Sequence, residues 1–241
     1  MIMSENKSPA VTRLTEARAA HTAQMLKIND ITTAIARSKK EREAAIENGK
    51  EAETNWRTRF RDLRGAITPE LRAEHSQRIV SRELAEEFTG LIKELEFEHE
   101  GEMIAAVHTG RAYVNAHNMA FTQYVEGQWE AAMRNVSPTL IRAIRLKLLS
   151  LRLNDRGRHT DPQHEEPEVV LAHEVGKLLT NKAEGARLDM NAEPVLSEIG
   201  IYRPALTGVD MHLYNSPAAI QKLIHERKEK HEAKQQKENR S

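Results

Sequence analysis

The residues best suited to metal chemistry are histidines and carboxylates near position 160. The chain has 11 histidines, and His159, Asp161 and His164 fall in one Pro- and Gly-containing stretch shortly before His173 and Glu174. Zinc sites draw on cysteines or on histidine pairs that one helix face presents together. The chain has no cysteine, no HExxH motif and no two histidines four residues apart. The sequence therefore predicts polar loop residues here and no metal site.

Motifs for other kinds of catalysis are also absent from the sequence. The 11 glycines occur singly, so there is no phosphate-binding loop of the Walker type. There is no GxSxG motif, and without cysteine there is neither a thiolate nucleophile nor a disulfide. We expect a protein that is not an enzyme and needs no cofactor.

Charge and composition argue against two further classes of partner. Lysine plus arginine and aspartate plus glutamate both total 36, so no global field attracts nucleic acid or an anionic membrane. Aromatic residues make up only 4% of the chain, and we expect no interleaved basic and aromatic surface for single strands. No apolar run approaches the roughly 20 residues of a membrane span. The sequence predicts no membrane insertion and no direct sequence-specific nucleic-acid binding. The lack of cysteine fits the cytoplasm.

The main structural element that the sequence predicts is one long helix. Residues 11–64 contain no proline and one glycine, Gly49, and are rich in strong helix formers. Nine of 16 heptad core positions are apolar, a pattern typical of an irregular coiled coil: Val11, Leu14, Met25, Ile28, Ile35, Ile46, Trp56, Phe60 and Leu63. A break at Asn48-Gly49 stays open, because a helix C-cap would fit there.

The length of this helix indicates how it is used. Fifty-four residues span roughly 80 Å, whereas a compact chain of this size has a radius of gyration of about 18 Å. The helix must lie along a second long helix, either of its own chain or of a partner. We expect a homodimer in which Ile28 and Ile35 pack at the interface.

Three further helices are predicted to begin at Ser/Thr-Pro pairs: Thr68-Pro69, Ser137-Pro138 and Ser216-Pro217. We predict a disordered segment at residues 1–9, two long helices over residues 10–132, a smaller helical region at 133–224 and a charged, frayed or disordered tail at 225–241. The second long helix carries a seam for the first helix or a partner: Leu84, Phe88, Leu91 and Leu95. The helix at 139–154 is apolar on two faces, which predicts burial between neighbours. No strand-type alternation appears, so the fold class is all-α, with long coiled-coil-like helices in an elongated homodimer.

Two kinds of function remain after these exclusions. One is a binding protein that docks on another assembly, and the other is a purely structural coiled-coil component such as a scaffold or capsid part. Both work through surfaces and not through chemistry.

An ordered series of residues in the C-terminal third resembles a known family. Ile199-Gly200, Arg203-Pro204, Val209-Asp210, Ser216-Pro217-Ala218 and Arg227-Lys228, together with Tyr113-Val114 and His117, are similar to the polarity-suppression (Psu) proteins of bacteriophage satellites. Spacing departs by one residue after Gly200 and again before Ser216, and the N-terminal half matches only in its long charged helices.

The resemblance implies an all-α, intertwined homodimer with two surface-binding activities. One is inhibition of the host transcription terminator Rho, and the other is decoration and stabilisation of the capsid exterior. The alternative is a structural capsid or scaffold protein without Rho inhibition. The family would place this protein in the host bacterial cytoplasm and on the virion. Partner contacts are expected at Arg203, Asp210, Lys222, Arg227 and Lys228, whereas Tyr113 and His117 are expected to pack between helices.

Overall fold

The computed structural model describes residues 8–155 and 165–238, and all of the regular structure there is helical. The helices are α1 (Pro9–Asp62), α2 (Pro69–Arg134), α3 (Pro138–Asn154), α4 (Pro167–Glu184), α5 (Pro194–Ile199), α6 (Met211–Asn215) and α7 (Pro217–Glu238). The prediction of an all-α fold is confirmed.

Local capping chemistry sets where several helices begin. The side chain of Ser8 accepts a hydrogen bond from the amide of Ala10, and Thr68 accepts one from the amide of Leu71 at 3.3 Å. Ser216 accepts one from the amide of Ala219 at 3.2 Å. In each case a proline occupies the first helical position, where its missing N–H costs nothing.

The first long helix is continuous through Asn48-Gly49, where the sequence left a helix break undecided. Gly49 lies inside α1, and a Cβ added there would stand 3.5 Å from the Cβ of Ser81, a buried residue of α2. Two small residues therefore meet where the helices pass each other. Gly49 lies at the contact between the two helices and does not end α1.

The chain divides into two compact units, the first formed by Met1–Ala116 with Pro204–Ser241. In this unit α1 and α2 run antiparallel, because Arg59 pairs with Glu74 at 2.9 Å while Lys39 pairs with Glu96 at 2.7 Å. The partner of the long first helix is thus α2 of the same chain. The core joins α1, α2, the 204–210 segment, α6 and α7 through Ile28, Ala106, Val107, Val209, Leu213 and Ile220.

The α1–α2 interface also contains a polar layer. Nδ1 of His21 lies 3.0 Å from the hydroxyl of Thr109, and the amide of Gln24 donates to the backbone carbonyl of Glu102 at 2.9 Å. His21 and Gln24 are both buried. Burial lowers the pKa of His21, because desolvation disfavours the charged imidazolium.

The second unit is His117–Arg203. Here α3 and α4 pack antiparallel, with Lys147 paired to Glu174 at 3.3 Å and Arg152 paired to Glu168. The hydrogen bond from Arg152 lowers the pKa of the Glu168 carboxyl.

The prediction that α3 is buried between neighbours is wrong for this chain. None of its residues is buried, although α4 packs beside it. Five large apolar side chains of α3 are exposed: Leu140, Ile141, Leu146, Leu149 and Leu153.

The C-terminal segment is largely helical. Segment 201–215 contains the short helix α6, and α7 continues through Glu238. Lys230 and Lys234 of α7 reach Glu100 and Glu94 of α2 at 3.0 and 2.8 Å, which holds the tail against α2. Residues 1–7 and 239–241 lie outside the described residues.

Candidate interaction surfaces

Arg227 has its contacts inside the first unit. One guanidinium nitrogen donates to the backbone carbonyl of Phe97, and Nη1 lies 3.6 Å from the Glu100 carboxylate. Only 19% of the Arg227 side chain is exposed. The expectation of a partner contact at Arg227 therefore gives way to a packing role, because its hydrogen-bonding groups are directed at α2.

Lys222 and Lys228 do face solvent. Their side chains are 80% and 74% exposed, and each forms a long i,i+4 contact on α7, with Glu226 at 3.8 Å and Glu232 at 3.9 Å. Exposed pairs of this kind contribute little to stability. Both lysines are therefore available to an acidic partner, although they lie on a different face of α7 from Arg227.

Asp210 has a structural role in the loop before α6. Its Oδ1 accepts hydrogen bonds from the amides of His212 at 2.8 Å and Leu213 at 3.2 Å, so it is the N-cap of α6. Arg203 is exposed at the end of the second unit, whereas Asp210 belongs to the first.

The sequence-predicted packing residues divide between core and surface. Ile28 is buried in the core of the first unit, and Ile35, Phe88 and Leu95 are half-buried. Leu84 and Leu91 are exposed, because α1 packs on a neighbouring face of α2 that carries Leu71, Ala85 and Ile92. Two residues of the predicted seam, Leu84 and Leu91, form an exposed apolar stripe on α2 together with Val80.

Tyr113 and His117 pack inside the chain. The Arg18 Nε donates to the Tyr113 hydroxyl at 3.2 Å. His117 is buried, its Nε2 lies 3.0 Å from the Gly200 carbonyl oxygen, and its ring stacks on Phe121. Gly200 is the C-cap of α5 and has a φ of 83°, a conformation that favours glycine.

Besides the His117–Gly200 contact, a hydrogen bond joins α2 to Glu193, the residue before α5. The Tyr124 hydroxyl donates to the Glu193 carboxylate in the second unit. This hydrogen bond raises the pKa of Tyr124, because the carboxylate favours the protonated phenol.

A cluster of aromatic and basic groups lies where α1 turns into α2. We name residues 56–72 the hairpin end. Trp56 stacks on Phe60 with ring centroids 5.2 Å apart, and the Arg78 guanidinium lies 4.9 Å from the Trp56 ring centroid. Phe60, Leu63 and Ile67 are exposed large apolar residues.

The prediction that basic and aromatic residues do not interleave is wrong at the hairpin end. In the run 56–61, Trp56 and Phe60 alternate with Arg57, Arg59 and Arg61. The low aromatic content of the whole chain obscured this local cluster. The run WRTRFR itself is the signal that would have found it.

The structure contains no candidate metal centre among the residues it describes. Across residues 8–155 and 165–238, no group of three His, Asp or Glu side chains is arranged to hold an ion. His159, Asp161 and His164 lie outside the described residues. Within the same ranges, no helix combines the length and apolar character needed to cross a bilayer.

Two comparisons with known proteins show what the chain is similar to. It is 32% identical over 216 residues to Glycoprotein 3 of Enterobacteria phage P4, covering 89% of this chain and 88% of that one. It also matches a solved structure described as satellite phage P4 procapsid including size determination (Sid) protein. That match has a TM-score of 0.77 and 29% identity, and it covers 94% of this chain and 96% of the other. No family model matches the chain.

The comparisons support the coarser part of the resemblance given by the motifs. The relatives belong to a satellite phage, and one is part of a procapsid structure. Neither is described as a polarity-suppression protein, so that finer assignment stays a prediction. With nearly nine-tenths of both sequences aligned at 32% identity, the chain belongs to the family of Glycoprotein 3 of Enterobacteria phage P4.

Proposed function

We propose that this protein associates with the procapsid of a satellite phage and acts in determining the size of the shell. The observation that carries the proposal is the match to the procapsid structure that includes the size determination protein, which covers 94% of this chain. Because the match extends over both units, it is not confined to one shared helical hairpin.

The geometry suits a protein that works by contact. Its long helices present fixed charged and apolar side chains, including Lys222 and Lys228 on α7 and the apolar stripe on α2. In the proposed role the protein binds the outside of the shell, stabilises it and remains with the virion. Before that it would be present in the host bacterial cytoplasm. The role requires neither catalysis nor a cofactor.

We further propose that the protein is a homodimer. The length of α1 does not support a dimer, because α2 of the same chain packs along it. The support is now the exposed stripe of Val80, Leu84 and Leu91, because these three apolar side chains fall on one face of α2.

Sedimentation with empty shells tests the association. Purified full-length protein should co-sediment with shells assembled from the capsid protein of the same phage system and should raise the temperature at which they rupture. Chelation with EDTA should leave both results unchanged. Wild-type protein that stays in the supernatant at micromolar concentration would contradict the proposal.

Inhibition of Rho is a second candidate function, and it rests on the motif resemblance. The structure gives several motif residues roles in the fold: Gly200 ends α5, Asp210 caps α6 and Arg227 packs on α2. Two proteins with the same fold would therefore share these residues even if they bound different partners. If the candidate holds, the protein slows the RNA-stimulated ATPase of Rho. Unchanged ATPase activity together with shell binding would favour the purely structural capsid role.

A further inference from the structure

The hairpin end carries positive charge in a chain whose net charge is zero. Over residues 56–72 there are five arginines against two carboxylates, Asp62 and Glu70, giving a local net charge of +3. The arginines are Arg57, Arg59, Arg61, Arg64 and Arg72, and all five are exposed.

Two of these arginines are engaged within the chain. Arg57 pairs with Glu53 at 2.5 Å, and Arg59 pairs with Glu74 at 2.9 Å. Within the part of the chain that the structure describes, no carboxylate lies within 4.0 Å of Arg61, Arg64 or Arg72. Three guanidinium groups at one end of the hairpin thus keep their hydrogen-bonding capacity for an external acceptor.

Apolar side chains accompany these arginines. Phe60, Leu63 and Ile67 are 37%, 39% and 63% exposed. Aromatic residues and arginine are enriched at protein interfaces, so Phe60 beside these arginines has the composition of a contact surface, to which Leu63 and Ile67 add apolar area.

The turn holds this surface in a fixed arrangement. Arg64 adopts a φ of 49° and Gly65 one of 86°, and the Gly65 amide donates to the Phe60 carbonyl at 2.9 Å. The stacking on Trp56 fixes the ring of Phe60, and the Arg59–Glu74 pair ties the last turn of α1 to α2. A surface ordered before binding loses less conformational entropy when a partner docks.

We propose that the hairpin end docks on an acidic, partly apolar surface of the capsid protein. This inference rests on the proposed capsid association and assigns the contact to a particular place. Arg61, Arg64 and Arg72 pair with carboxylates of the shell, because the planar guanidinium matches a carboxylate with two parallel hydrogen bonds. Phe60, Leu63 and Ile67 fill an apolar depression between those carboxylates.

Nucleic acid is the other class of partner that arginines attract, and the structure favours it less. Binding of single strands uses aromatic faces that are free to stack on bases. The Trp56 ring is already in contact with Phe60, His75 and Arg78. Leu63 and Ile67 offer aliphatic surface, which suits a protein pocket better than a base.

Binding to empty shells by matched variants tests the assignment. The first variant is Arg61→Glu/Arg64→Glu/Arg72→Glu, and the second is Leu63→Ser/Ile67→Ser. The control is Arg13→Glu/Arg37→Glu/Lys40→Glu, the same charge change at exposed positions of α1 away from the hairpin end. Helix content of every full-length variant is measured first by circular dichroism.

The first variant should bind shells at least about tenfold more weakly and with a shallower salt dependence. The second variant should also bind more weakly, with its salt dependence unchanged, and the control should stay within about twofold of wild type. Equal binding by wild type and the first two variants would overturn this inference alone. Absent binding by wild type would overturn the proposed function as well. Arginine-dependent binding of a fluorescent RNA oligonucleotide, with shell binding unaffected, would identify nucleic acid as the partner of this surface instead.

Discussion

The guanidinium carbon of Arg227 lies 3.9 Å from the centroid of the Phe97 ring, so the last helix is fixed to α2 by a cation placed over an aromatic face. The same group donates to the Phe97 backbone carbonyl. A Cβ at Gly101 would stand 2.6 Å from Nη2 and 3.1 Å from Cζ of Arg227. The absence of a side chain at Gly101 is therefore what lets the guanidinium reach the helix.

Gly101→Ala should change the free energy of unfolding in the direction opposite to the usual effect of Gly→Ala in a helix. Gly→Ala in a helix interior ordinarily stabilises by up to about 1 kcal/mol. Gly101→Ala should instead lower the free energy of unfolding by about 1–3 kcal/mol, because the added methyl group displaces Arg227. Urea unfolding measures the difference.

Gly90 supplies the matched control on the same helix. A Cβ there meets no atom within 4 Å, so Gly90→Ala should show the ordinary stabilisation. Arg227→Ala should destabilise about as much as Gly101→Ala, and Lys228→Ala should stay within about 0.5 kcal/mol of wild type. A stabilising Gly101→Ala would show that Arg227 does not occupy this position.

Buried His21 makes stability depend on pH below neutrality. Its pKa is lowered by burial, so between the folded-state pKa and the ordinary value of 6.5 the unfolded chain binds the extra proton. Stability from this group is present above pH 6.5 and is lost as the pH falls to the folded-state value. The difference in unfolding free energy between wild type and His21→Gln should therefore be larger at pH 7.5 than at pH 5. A difference independent of pH would contradict this role.

The exposed stripe on α2 predicts separable effects on assembly and folding. Leu84→Asp/Leu91→Asp should leave the helix content unchanged, because both side chains are exposed within the chain, but should convert a homodimer to a monomer of 27.4 kDa. Ile28→Asp places a charge in the core and should cost several kcal/mol of stability. Light scattering combined with circular dichroism measures both properties. A wild-type monomer, or a double variant that remains dimeric, would rule out this interface.

Features set by local chemistry could be read from the sequence. The Thr68-Pro69 and Ser216-Pro217 pairs placed the starts of α2 and α7, since a cap and a preset φ act within a single turn. The length of α1 correctly required a second long helix beside it.

Features that depend on contacts between distant residues could not be read in this way. Arg227 looked like a solvated helix end, because its partners Phe97 and Glu100 lie some 130 positions away. The exposure of α3 depends on which neighbours exist, and its two apolar faces alone do not give their number.

Shell diameter in co-expression tests the central claim most directly. The capsid protein of the same phage system is expressed alone and together with this full-length chain, and the diameters of the assembled shells are measured by electron microscopy. The account predicts that the chain associates with the shells and shifts them to a single diameter different from that of the capsid protein alone. An unchanged diameter distribution, with the chain present and folded in the same cells, would contradict it.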